Sequence, residues 1–171
     1  MVDAWVLRAM HRRCNYDRRH IEYVSECLEA ELNTRRLFGQ PENPEEFLTP
    51  KVAYYLEQHR RSTLADAVIL PHLDQATVTC LSQEHLEAIH KMVQGMLRHK
   101  PFELVTIHDD YKAHPNNCNQ VRWQYREIMA EIAESNLLDD LLSQLYEEPV
   151  TFNKLSFNLP EQIREGAYAL G

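Results

Sequence analysis

Pro101-Phe-Glu-Leu-Val-Thr-Ile-His-Asp-Asp-Tyr-Lys-Ala-His114 decides how the rest of the chain is read. Glu103 to Ile107 is a short, β-branched, apolar run of the kind that suits a pleated, buried strand. His108, Asp109 and Asp110 follow at once, then Tyr111 and Lys112. Charges at the end of a buried strand are costly unless they are paired or bind a metal. Asp109 is therefore the first candidate for a metal ligand, with Asp110 beside it. Taken one residue at a time, a blander reading stands next to this one. An aspartate at a strand end is often paired or capping, and His108 fits a satisfied core histidine equally well.

Working outward, the downstream half reads as helix. Pro115-Asn116-Asn117 is a turn and cap. Val121, Tyr125, Ile128, Met129 and Ile132 then recur at i, i+4, i+7, i+8 and i+11, an amphipathic helix. Leu137, Leu138, Leu141, Leu142 and Leu145 form a further helix after Asn136. Its Asp139 and Asp140 fall in the first turn, where the helix dipole favours acids, and this is preferred to a metal role. Pro149 to Leu159 reads as loop, and Pro160 opens a last short helix to Ala167.

Upstream, Val2, Val6, Met10 and Cys14 repeat every four residues, with Trp5 and Ala9 widening the stripe. Arg8, Arg12 and Arg13 are expected together on the outer surface, continuing into Arg18, Arg19 and His20 as a basic patch. Asp17 caps a second helix, Arg18 to Phe38, whose apolar side runs through Ile21, Val24, Leu28, Leu32 and Leu37 to a stop at Gly39. A short helix is expected over Glu45 to Leu48. Thr49 and Pro50 open another, ending near Arg60. Ala67 to Leu70, ahead of Pro71, reads as a strand or extended segment, and Ala76 to Leu81 as a second. Ser82 caps a clear helix running to about His99.

Composition sets the bounds. The 171 residues fit one domain on the usual prior of about 150 residues. Only four glycines occur, and neither G-x-x-x-x-G-K nor G-x-G-x-x-G is present, which argues against a phosphate-cradling loop. No apolar run approaches the roughly 18 residues of a membrane span. Cys14, Cys27, Cys80 and Cys118 show no C-x-x-C spacing, so a reduced, cytoplasmic setting is expected. The nine histidines have no zinc-ligand spacing. The net charge of −8 is uneven: residues 1–100 hold 13 Lys/Arg against 14 Asp/Glu, and residues 101–171 hold 5 against 12. A free-standing nucleic-acid clamp is basic, so that reading is disfavoured.

A strand running into Ile107-His108-Asp109, then a polar turn and a long helix, resembles palm motif C of single-subunit, phage-type DNA-dependent RNA polymerases. Val2-Asp3-Ala-Trp-Val-Leu-Arg8 resembles the palm helix upstream of that strand. Asn158-Leu-Pro-Glu-Gln-Ile-Arg-Glu-Gly-Ala-Tyr-Ala-Leu-Gly171 resembles the C-terminal foot. Leu81 to Leu145 looks closest to the divergent branch found in phages, where Lys100-Pro-Phe-Glu and His114-Pro-Asn-Asn are at home. The resemblance covers three blocks, near 1–16, 81–147 and 154–171, and makes 17–80 a helical insertion within a single palm and C-terminal domain.

The resemblance implies an α+β, mostly helical fold with a short β-hairpin around 102–113 packed on helices. It implies a nucleotidyltransferase in which Asp109 is one of two aspartates holding two Mg²⁺ ions. His108 would lie beside the nascent RNA 3′ end. Asp110 stands where many members have a small residue and where related DNA polymerases tend to carry an acid. Lys112, Arg8, Arg12 and Tyr168 would contact nucleic acid, Tyr168 from the tail near the active site. DNA template, nascent RNA and nucleoside triphosphates are the implied ligands, in a host-cell cytoplasm and with no membrane. The family's first catalytic aspartate and its fingers helix are expected on an upstream segment or a second polypeptide, so the isolated chain is expected to be inactive. Three alternatives stand beside this: a DNA polymerase palm fragment, a metal-dependent His-Asp phosphohydrolase, and a non-catalytic helical interaction module. The phosphohydrolase chemistry puts its His-Asp pair on a helix, which the β-branched run before His108 disfavours.

Overall fold

A computed structural model of the chain describes residues 2–41, 47–107 and 110–166. The described residues are mostly helical, with one two-stranded antiparallel sheet, an α+β arrangement. They fall into two compact units: Met1–Asn15, Gln58–Leu64 and Phe102–Gly171 make unit 1, and Tyr16–Glu57 with Ala65–Pro101 make unit 2.

Unit 2 is helical, and its elements begin where short polar side chains satisfy free backbone N–H groups. In α2 (Arg18–Phe38) the Asp17 carboxylate accepts from the Arg19 and His20 amides. Gly39 closes the helix at φ 86°, a backbone that L side chains rarely adopt, and its N–H donates to the Arg35 carbonyl. Pro50 opens α3 (Pro50–Ser62), and the Thr49 carbonyl accepts from the Ala53 N–H at 2.9 Å. Ser82 caps α5 (Gln83–Leu97) by accepting from the His85 N–H.

Between α3 and α5 the two expected strands are instead helical. Ala67–His72 is a 3-10 helix and Gln75–Thr79 is the short helix α4. The β-branched residues there signal strand, but capping overrides them. Asp66 accepts from the Val68 N–H. Asp74 and Thr77 form a reciprocal capping box, each side chain binding the other's backbone N–H. The expected helix over 45–48 lies partly outside the described residues. Phe47 is in a turn and Leu48 has no regular structure.

Packing follows the apolar stripes. Ile21, Val24 and Leu28 of α2 meet Leu86, Ile89, Met92, Val93 and Met96 of α5, with Val52 and Leu56 of α3 and Ile69, Leu70 and Leu73 closing the core. Leu37, expected on this stripe, is 76% exposed, because nine residues after Leu28 it falls on the opposite side of the helix. Buried Arg35 ties α2 to the end of α4. Its Nη2 donates to the Thr79 and Leu81 carbonyls at 3.2 and 2.8 Å, while Nε pairs with Glu31 at 2.7 Å.

Unit 1 is built on α1 (Val2–Cys14) and α6 (Cys118–Glu134), which pack through Val6, Ala9, Met10 and Cys14 against Ile128. The sheet, β1 (Val105–Ile107) and β2 (Asp110–Lys112), joins this core through Leu104. Then α7 (Leu137–Tyr146) and α8 (Leu159–Glu165) complete the unit.

Leu28 is fully buried in unit 2, so Leu28→Ala leaves a cavity that its neighbours fill only in part. The expected loss is about 2–5 kcal/mol of unit 2 stability, read by urea titration with amide hydrogen exchange resolving the two units.

Candidate functional site

The site begins with the register of the sheet. Val105 pairs with Lys112, Thr106 with Tyr111 and Ile107 with Asp110. Positions 108 and 109 are therefore what joins the two strands in sequence. His108 and Asp109 lie outside the described residues, as does Tyr168.

Alternation along β1 sends successive side chains to opposite faces. Leu104 is buried and Thr106 half-buried, whereas Val105 and Ile107 are 57% and 50% exposed. The sequence reading of a buried strand is thus corrected to a strand covered on one face. The same β-branched run suits either case, because β-propensity reports fit to a pleated surface and not burial of both sides.

Three contacts seat the hairpin. His11 Nε2 of α1 lies 3.2 Å from Thr106 Oγ1. The Phe102 N–H donates to the Cys14 carbonyl at 2.8 Å, fixing the approach to β1 at the end of α1. Tyr111, opposite Thr106, sets its ring against Tyr125 of α6 at 5.6 Å. Separately, Arg13 forms a two-pronged ion pair with Glu131, joining α1 to α6.

That pair corrects the basic-patch reading. Arg13 is buried inside unit 1 and is not on the outer surface with Arg8. Arg8 is exposed and Arg12 half-buried. In unit 2, Arg18 pairs with Glu22 and His20 lies 2.9 Å from the Leu70 carbonyl. Asp110 and Lys112 are exposed on β2, each opposite an exposed apolar residue of β1. Asp139 and Asp140 sit in the first turn of α7 as expected. Asp139 accepts from the Phe152 N–H and Asp140 pairs with Arg61 at 2.7 Å. Among the described residues no three His, Cys, Asp or Glu side chains gather to hold a metal.

The C-terminal helix is anchored by arginines that sequence reading did not single out. Arg126 Nη1 donates to the Arg164 and Gly166 carbonyls at 3.3 and 2.6 Å. Arg164 binds Glu134 and Glu127, which hold its guanidinium even more firmly protonated than usual. Neither is part of an apolar stripe, so only contact across the fold reveals them. The described residues contain no helix long and apolar enough to cross a membrane.

No protein-family model matches the chain, and no curated protein matches it significantly.

Two measurements check this geometry. Arg13→Met strips Glu131 of its buried partner and is expected to cost about 3–5 kcal/mol, whereas the double change Arg13→Met with Glu131→Leu recovers most of it. A chemical-denaturation cycle reads both, and a double variant no better than the single one would contradict the assignment. Cys14 provides a pH test. Burial pushes its thiol up from 9.0 to about 12, with nearby Arg13 opposing. The folded state then holds the proton that the unfolded chain releases. This stabilisation is full below the unfolded value of 9.0 and fades as pH rises towards about 12. Native alkylation at neutral pH should label exposed Cys118 first and leave Cys14 unmodified until the chain unfolds.

Proposed function

We propose that this chain is the C-terminal catalytic portion of a phage-type DNA-directed RNA polymerase, contributing Asp109 to two-metal nucleotidyl transfer. One observation carries the reading: the two strands flanking His108-Asp109 pair antiparallel, with Ile107 opposite Asp110 and only two residues between them. A strand–His-Asp–strand hairpin seated on a preceding helix, α1, and a following helix, α6, is what palm motif C requires. The anchoring of α8 onto α6 supports the further resemblance of the tail to the C-terminal foot.

The two Mg²⁺ ions that the reading implies lower the pKa of the attacking 3′-hydroxyl and stabilise the pyrophosphate leaving group. The described residues do not by themselves form such a centre, and Asp110 is a single exposed carboxylate. The resemblance assigns the other aspartate, and the fingers helix that holds the incoming nucleotide, to another segment or polypeptide. His108 is assigned to the RNA 3′ end. Lys112 and Arg8, both exposed, and Arg12 are assigned to nucleic-acid contact, with Tyr168 near the active site.

The flanking strands weigh against a His-Asp phosphohydrolase, whose pair stands on a helix. The acidic Asp110 favours keeping a DNA polymerase palm as the second reading, since related DNA polymerases tend to carry an acid there.

The test is templated extension by the chain co-purified with the product of the gene immediately upstream. Synthesis should depend on Mg²⁺, and Asp109→Asn should lower its rate by about a thousandfold or more, as loss of several kcal/mol of charge stabilisation demands. An unchanged rate would remove Asp109 from the metal centre. Incorporation of ribonucleotides over deoxyribonucleotides separates the two polymerase readings, and robust activity of the chain on its own would overturn its assignment as an incomplete portion.

A further inference from the structure

Both ends of α7 are held by backbone that few side chains accept. Among the described residues, the non-glycine residues with positive φ are Thr63, at 54°, and Glu147, at 57°. They bracket this helix. Glu147 is its C-cap. Thr63 lies against its start, where the Asn136 N–H donates to the Thr63 hydroxyl at 3.0 Å and to the Ser62 carbonyl at 2.8 Å. The left-handed region is costly for any residue but glycine, and most of all for a β-branched one such as threonine. Backbone of this kind persists only where its surroundings hold it, and it gathers at segments that switch.

The helix is also thinly attached. No residue of 136–153 is buried, and none belongs to the apolar core of unit 1 or packs against it. The segment closes on itself instead. The Val150 N–H donates to Ser143 Oγ at 2.8 Å and the Phe152 N–H donates to Asp139 at 3.2 Å. Its two ends meet at the end of α6. There the Leu137 N–H donates to Ser135 Oγ at 3.2 Å, and Lys154 Nζ donates to the Ala133 carbonyl at 3.0 Å. Away from that base, the end of α3 ties it down through the two Asn136 bonds and the ion pair of Arg61 with Asp140 at 2.7 Å. Helices α6 and α8, which flank it in the chain, are joined separately through Arg126 and Arg164.

We propose that residues 136–153 form an arm that detaches and melts as one unit while the rest of unit 1 stays folded, latched shut by Arg61, Ser62 and Thr63. Three features set the balance. A ten-residue helix is marginal in water by itself, so release from α3 and loss of the helix go together. Opening lets Thr63 and Glu147 leave the left-handed region, which offsets part of the bonding that is broken. One latch contact is an ion pair whose arginine is 38% exposed, so dissolved salt competes with it. The arm is thus a salt-sensitive conformational switch, whatever chemistry Asp109 performs.

Native-state amide hydrogen exchange on the full chain tests this. The amides of Asp140 to Tyr146 and those of Val150 and Phe152 should share one opening equilibrium, exchanging about tenfold or more faster than the amides of α1 and α6. Raising salt should speed that shared exchange severalfold. Arg61→Gln should speed it about two- to fivefold at low salt and abolish the salt response, with Arg61→Lys between the two. Glu147→Gly should slow it, because glycine holds φ 57° without strain. The amides of α1 and α6 are the control in every case. If Arg61→Gln loosened them too, the salt titration of the unsubstituted chain and Glu147→Gly would still decide. Exchange of α7 at the rate of α6 overturns the proposal, as does exchange of each α7 amide at its own rate, which is simple fraying. So does a shared rate indifferent to salt, to Arg61→Gln and to Glu147→Gly.

Discussion

Unit 1 depends on the ion pair between Arg13 and Glu131. A guanidinium only 3% exposed is tolerable because a carboxylate meets it with both oxygens. The pair fixes the register of α1 against α6, and Met10, Ala9 and Ile128 pack on that register. Geometry here is directional in a way that apolar packing is not: a slip by one residue along either helix would leave the buried guanidinium without its carboxylate. The hairpin inherits its position from this clamp, because Thr106, Phe102 and Tyr111 are held by His11, Cys14 and Tyr125 respectively.

A two-stranded sheet is marginal by itself and needs a surface to lie on. Here one face has that surface and the other does not. The covered side places the strands flanking residues 108 and 109, while on the other side Val105, Ile107, Asp110 and Lys112 are exposed among the described residues. The proposed reading rests on that arrangement together with the ordered sequence blocks.

Unit 2 is held differently. Its core is a broad apolar contact between α2 and α5, closed by short elements that are individually weak. The 3-10 helix and α4 are too short to persist alone. They exist because Asp66 and Asp74 cap them and because Arg35 collects the carbonyls of Thr79 and Leu81. Capping and carbonyl capture do here what helix length does elsewhere.

The sequence by itself determined α1, α2, α3, α5, α6 and α7, down to Asp17, Gly39, Pro50 and Ser82 at their ends. Long apolar periods and local side-chain-to-backbone bonds are short-range, and the chain carries both in plain view. It also determined that a strand runs into His108-Asp109, the residues on which the functional reading rests. Only the tertiary structure decided that Ala67–His72 and Gln75–Thr79 are helical, that β1 is covered on one face, and that Arg13 lies inside while Leu37, Leu138 and Leu145 lie outside. Each of these depends on what stands opposite. A β-branched residue fits a strand or a capped turn, an arginine fits water or a facing carboxylate, and a leucine stripe is buried only where another element arrives to cover it.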